Sequence, residues 1–197
     1  MPSPSISPDW PAPAAVTALS TLRGGGHSLP PFASLNLAAH VGDDSAAVAA
    51  NRALLAELLP PGSTVQWLSQ VHGTRVVEAT GDGACPDADA SWSRSPARAC
   101  AVLPADCLPV LFCSRAGDVV GAAHAGWRGL LGGVLERTVD AMAVDPGQLL
   151  AWLGPAIGPR AFEVGPELPA AFLAAAPAAA PATGTAPSLP ASGPRCR

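Results

Sequence analysis

Apolar positions come in short blocks through the middle of the chain, and each block predicts an element. Residues 16–22 read as a first strand, stopped by Arg23-Gly24-Gly25-Gly26. Val48, Leu54, Leu55 and Leu58 fall on one face of a helix over 46–59,. Asp43 or Asp44 supplies its cap, and Pro60-Pro61-Gly62 ends it,. Residues 65–70 read as a strand, 75–79 as a further extended stretch, and 81–89 as turn-rich and exposed. Short strands are predicted over 100–103, 108–113, 118–123 and 149–153,. Residues 125–129 form a tight loop, and 130–142 form an amphipathic helix,.

This order of strand, loop, helix and strand predicts a mixed α/β or α+β sheet protein, with its loops held at strand ends. Residues 1–14 are rich in Pro and Ser and read as a flexible leader. A single domain is expected over 15–176, with a little helix at 168–176. Residues 177–197 are mainly Ala, Pro, Ser, Thr and Gly, a composition that predicts a disordered tail,.

Composition narrows the function classes. With 197 residues, 49% hydrophobic and 13% charged, the chain has material for one packed core,. Its net charge is −4 and no basic block occurs, so nucleic acid is not expected as a partner,. Every basic side chain except histidine is Arg, and Tyr is absent. Lysine nucleophiles, Schiff bases and tyrosine acids are therefore excluded. Five cysteines, an odd number without a CxxC pair, argue against a disulfide framework and a zinc ribbon,. The first residues lack the basic start and apolar core of a secretory signal,. Apolar runs are broken before membrane-spanning length, so a cytoplasmic protein without membrane association is expected,.

Four histidines are present, and two follow predicted strands beside glycine: His72 and His124. Cys107 is a third soft ligand, placed in a corner between strands. Two imidazoles and one thiolate suit zinc, and three protein ligands leave a fourth position open for chemistry. The same residue types also fit a histidine bonded to a backbone carbonyl and an inert packed cysteine. Cys100 and Cys113 read as core; Cys85 and Cys196 lie in loops. Arg23 and Arg128 stand beside glycines, where a guanidinium and free N–H groups suit an anion such as phosphate, or a surface ion pair,. Trp127 can stack on a base or simply pack. Asp106, Asp89 and Glu163 are candidate acids or bases,.

Three motifs occur in order: Gln70-Val71-His72-Gly73-Thr74, Ala105-Asp106-Cys107-Leu108-Pro109-Val110-Leu111 and Ala123-His124-Ala125-Gly126-Trp127-Arg128-Gly129. Leu22-Arg23-Gly24-Gly25 and Ala33-Ser34-Leu35-Asn36-Leu37 precede them. Leu153-Gly154-Pro155-Ala156-Ile157-Gly158-Pro159 and Phe162-Glu163-Val164-Gly165 follow. The set closely resembles the laccase-domain family, once called multicopper polyphenol oxidoreductases and now read as zinc-dependent purine nucleoside phosphorylases with adenosine deaminase side activity. The resemblance covers roughly residues 20–168. It implies an α+β fold, a four-layer α/β/β/α sandwich with mixed sheets. It implies metal ligation by His72, Cys107 and His124, with zinc as the cofactor and copper as the other metal to consider. It further implies phosphorolysis of adenosine, inosine, guanosine and methylthioadenosine, and deamination of adenosine.

Within that frame Cys107, Asp106 and His72 are the expected catalytic group. Arg23, Asn36 and Arg128 are the expected binders of substrate and phosphate. A monomer is expected. The chain departs from the family pattern in two places: after Gly165 the usual Cys-Thr pair and Phe-Ser-Tyr-Arg-Arg stretch are absent, and before it Arg160 replaces a common cysteine. The expectation is a C-terminally truncated domain with part of its pocket missing.

Three other readings compete. A copper phenol oxidase needs many histidines, and this chain has four and no His-x-His pair,. A hydrolase editing peptidoglycan precursors would use Cys107 as nucleophile with a histidine base. A truncated remnant would at most bind metal or a partner, without turnover.

Overall fold

A computed structural model describes residues 5–175. The chain divides into two units, residues 1–162 and 163–197. The first unit begins with two short strands, β1 (Ser5–Ile6) and β2 (Ser20–Thr21), and then helix α1 (Ser45–Glu57). Strands β3 (Thr64–Gln66), β4 (Val76–Glu78), β5 (Ala90–Ser93) and β6 (Arg98–Cys100) follow. The long strands β7 (Leu108–Ser114) and β8 (Val120–Ala125) come next, then helices α2 (Trp127–Leu131) and α3 (Val134–Met142), and last β9 (Leu149–Leu153). The described part of the second unit holds helix α4 (Glu167–Ala175), close to the helix expected there.

The main sheet has five strands in the order β4-β5-β8-β7-β9. It is mixed: β4 pairs with β5 in parallel, and the other neighbours are antiparallel. β3 and β6 form a second, parallel pair, and β1 with β2 an antiparallel one. Helix α3 packs on β4, β5 and β8, whereas β6 meets β5 and β8 from the β3–β6 pair. Arg52 of α1 lies 4.0 Å from the ring centre of Trp67, just after β3. The sequence of layers is helix, sheet, sheet, helix, and the fold is α+β, as the resemblance implied.

The core lies between the main sheet and α3. Val110 and Phe112, two residues apart on β7, point the same way and pack with Ala123, Ala125, Val134 and Met142,. Small residues at Ala90, Gly121 and Ala123 let α3 approach the central strands closely: both alanines are fully buried, and a β-carbon at Gly121 would stand 3.0 Å from the Met142 sulfur. Arg94, just after β5, donates from a guanidinium nitrogen to the carbonyl of Met142 at 2.8 Å, which satisfies an open acceptor at the end of α3,.

Several expectations hold in outline and shift in detail. Asp44, not Asp43, caps α1, accepting from the Ala46 N–H at 2.8 Å,. The strand expected at 16–22 shortens to Ser20–Thr21, and its partner Ser5–Ile6 lies inside the stretch read as leader. The strand expected at 100–103 is β6, shifted to Arg98–Cys100. The tight loop expected at 125–129 is instead largely helix α2, and the helix expected over 130–142 runs as α3 only from Val134, because Gly132-Gly133 separates the two and Gly133 takes φ +90, a left-handed turn that no helix continues through,. Residues 81–89 are not uniformly exposed: Ala88 and Asp89 are wholly buried. The tail expected to be disordered, 177–197, lies outside the described residues, as does Cys196. Among the described residues, no helix is long and apolar enough to cross a membrane.

Candidate metal centre

Sheet register brings distant ligands together. β7 and β8 are antiparallel, with Leu108 opposite Ala125 and Pro109 opposite His124. The start of β7 therefore lies beside the end of β8, and Cys107, one residue before β7, reaches the level of His124 and Gly126. His72 arrives from the loop between β3 and β4. That loop is fixed by a bridge from Ser69 to Asp87. His72 itself adopts φ 58, a left-handed conformation uncommon outside glycine,.

Among the described residues, His72, Cys107 and His124 form a group able to hold a metal ion, with their ligand atoms all within 4.8 Å of one another. The Cys107 Sγ stands 3.9 Å from His72 Nε2. The two imidazole rings meet edge to face, centres 4.8 Å apart and planes at 77°. Around a tetrahedral zinc, a sulfur and a nitrogen ligand stand about 3.5 Å apart, so a small contraction of this triad would close on the ion. The cradle is kept open by Gly126. A β-carbon there would stand 2.9 Å from His72 Cδ2 and 3.0 Å from Cys107 Sγ. The donor set and the space both fit a soft-to-borderline metal.

One residue the sequence marked only as a loose acid candidate organises this group. Asp89 is fully buried. Its Oδ1 accepts the His72 N–H at 2.9 Å, and its Oδ2 accepts the N–H groups of Gly73 at 2.6 Å and Val71 at 3.3 Å. His124 Nδ1 lies 2.9 Å from Oδ1. The Asp89 carbonyl also accepts the His124 N–H at 2.7 Å. The signal for Asp89 was obscured because only the register of β5 on β8, Ala90 opposite Ala123, brings it beside His124.

The electrostatics of Cys107 depend on what binds there. Burial, then Asp106, then Asp89 push its thiol above the ordinary range. Without a cation, the site favours the neutral thiol; a bound cation favours the thiolate. Cys100, half-buried, has its thiol pushed up to about 11 by burial, and Cys113 is buried in β7, as core cysteines should be.

A cavity of about 1060 Å³ opens against the triad, and Asn36, His40, Gln70 and Asp106 also line it. Asp106 is exposed at its edge, next to Cys107. The amide of Asn36 is engaged on both ends: Nδ2 donates to Asp43 and to the Ala38 carbonyl, and Oδ1 accepts from the Ala38 N–H. Arg23 is exposed; its Nε donates to the Ala33 carbonyl at 2.6 Å, and its own carbonyl accepts from Ser34 and Leu35. Arg128 stacks 4.3 Å from the ring centre of Trp127 at the start of α2. Neither arginine is among the residues lining the cavity. Glu163 belongs to the second unit.

Residues 17–191 match the family described as multi-copper polyphenol oxidoreductase laccase. A purine nucleoside phosphorylase of Pseudomonas aeruginosa is 59% identical over 170 residues, covering 86% of this chain and 69% of that protein. Purine nucleoside phosphorylase YfiH of Escherichia coli (strain K12) is 57% identical over 170 residues, covering 86% and 70%. Among solved structures, the crystal structure of a Neisseria meningitidis protein matches with a TM-score of 0.84 at 51% identity, over 88% of this chain and 72% of that one.

Proposed function

The chain belongs to the multi-copper polyphenol oxidoreductase laccase family, and on that premise we propose that it is a purine nucleoside phosphorylase built around a zinc ion. The observation that carries this reading is the 59% identity to a relative named for that activity. The substrates proposed are adenosine, inosine, guanosine and methylthioadenosine together with phosphate, and adenosine deamination is proposed as a side activity. The protein acts in the cytoplasm, as a monomer, without nucleic-acid or membrane partners.

His72, Cys107 and His124 hold the ion. Zinc, when bound, would supply Lewis acidity to the substrate. Zinc is favoured over copper because two imidazoles and one thiolate in an open three-ligand set match catalytic zinc sites, and redox copper clusters need more histidines. In phosphorolysis a phosphate oxygen bonds to ribose C1′ while the bond from C1′ to the purine nitrogen breaks. The bonding pair leaves with the base, which then takes a proton. Asp106, exposed beside Cys107 at the cavity edge, is assigned that proton transfer,. Arg23 is assigned the phosphate: its carbonyl accepts the N–H groups of Ser34 and Leu35, and Leu35 lines the cavity,. Arg128, at the mouth of α2, is a second cation for the same anion. Asn36, held on both ends by Asp43 and Ala38, shapes the wall of the cavity.

A thiol hydrolase reading draws on the 3.9 Å approach of Cys107 to His72. It needs a thiolate, and burial, Asp106 and Asp89 all oppose one in the absence of a cation.

Purified protein incubated with adenosine and phosphate should release adenine and ribose 1-phosphate, and a smaller amount of inosine. Release of adenine should stop when phosphate is omitted. Chelation should abolish turnover, and zinc should restore it. Zinc-loaded, folded protein that yields neither adenine nor inosine would overturn the reading.

A further inference from the structure

Asp89 has no free lone pair for chemistry. Its carboxylate is fully buried and surrounded by four nitrogens: the backbone N–H groups of Val71, His72 and Gly73, and Nδ1 of His124. Three of these are donors by constitution. A carboxylate oxygen that already accepts the His72 N–H offers His124 a further acceptor, so Nδ1 is the protonated nitrogen of that ring. The other nitrogen, Nε2, is left as the lone-pair donor. His72 also presents Nε2 to Cys107 Sγ.

The same carboxylate fixes the backbone of the second ligand. His72 sits at φ 58 with its N–H on Asp89 Oδ1, and its two neighbours hang from the same side chain. A left-handed non-glycine residue persists only where its surroundings hold it. Here three consecutive N–H groups converge on one anion, which is what holds it. The Asp89 carbonyl completes the arrangement by accepting the His124 N–H.

We propose that Asp89 is the positioning residue of the metal centre: it sets the Nδ1–H tautomer of His124 and holds His72 in its left-handed conformation, so that both imidazoles offer Nε2 beside Cys107. It is not the general acid or base that its carboxyl alone would suggest. The inference rests on the metal-centre reading of His72, Cys107 and His124.

The tautomer is read on the wild-type protein, loaded with one equivalent of zinc, by two-bond 1H–15N correlation NMR of its histidines. The expected pattern has His124 protonated at Nδ1 and metal-bound through Nε2. Zinc bound with His124 ligated through Nδ1 overturns the inference and leaves the metal centre standing. Failure to bind zinc at all overturns both. A second arm uses Asp89→Asn, which keeps the shape and replaces one acceptor with a donor facing the N–H groups. Zinc affinity, measured by competition with a chromogenic chelator, should fall about 10–100-fold. The cobalt(II) absorption bands of the loaded variant should shift, a change that loss of stability alone does not produce. Asp89→Asn that folds, binds zinc with unchanged affinity and gives an unchanged cobalt spectrum would also overturn it. Should that variant not fold, the wild-type tautomer still decides.

Discussion

A β-carbon at Gly126 would meet all three candidate ligands, His72, Cys107 and His124. Its φ of −60 and ψ of 155 are available to any residue, so a substitution there tests space alone,. An alanine methyl would press on His72 Cδ2 at 2.9 Å and on Cys107 Sγ at 3.0 Å. Gly126→Ala should therefore keep the fold, by circular dichroism, and lose at least about tenfold in zinc affinity by chelator competition, the range typical of disturbed ligand support. At this scale the sequence was legible where a motif carried the residue. His72, Cys107 and His124 stood in recognisable runs beside glycine, and the structure brings all three together. Asp89 stood in a turn-rich stretch between prolines and serines. Its role depends on which strand pairs with which, and no local pattern encodes that. Asn36 lines the cavity to which its motif pointed, with its amide held by Asp43 and Ala38.

Among the elements, the helix that breaks at Gly132-Gly133 shows how a 3.6-residue pattern misleads. Leu130, Val134, Leu135, Thr138 and Val139 keep helical spacing through the break, so periodicity runs on where the backbone does not. Gly133 must turn left-handed at φ +90 to start α3. Gly133→Ala should cost about 1–2 kcal/mol in urea denaturation, and Gly133→Asn should cost less, because asparagine tolerates that region better. Strand β5 was invisible for another reason. Ala90-Ser91-Trp92-Ser93 has no β-branched residue, and three of its four residues are buried small side chains. Packing under α3, with Ala90 in the same cluster as Val134 and Met142, makes it a central strand,. β7, by contrast, was plain: seven residues, mostly apolar, paired on both sides,.

For the whole first unit, the candidate metal centre joins three places far apart in the chain: the β3–β4 loop, the start of β7 and the end of β8. A ligand that binds only the folded arrangement stabilises it by mass action. Zinc at about 100 times its dissociation constant should add about 2.7 kcal/mol. The zinc-loaded protein should thus melt above the same protein in EDTA, and His124→Ala should remove most of that difference. An equal melting midpoint with and without zinc would count against a site that spans these elements. The α+β class was readable from the order of strands and helices. The layer arrangement was supplied by the family resemblance, because long-range pairing such as β3 with β6 leaves no mark in local sequence.

The Asp89 carboxylate and carbonyl together hold four backbone N–H groups, those of Val71, His72, Gly73 and His124. Three of these belong to a loop whose surface is open; Val71 is 56% exposed. Exposed loops usually exchange their amide hydrogens with solvent within moments of transfer to heavy water. These three should not. Their deuteration should be slow and should track that of His124 in the central strand β8, so that a stretch of surface keeps time with the interior.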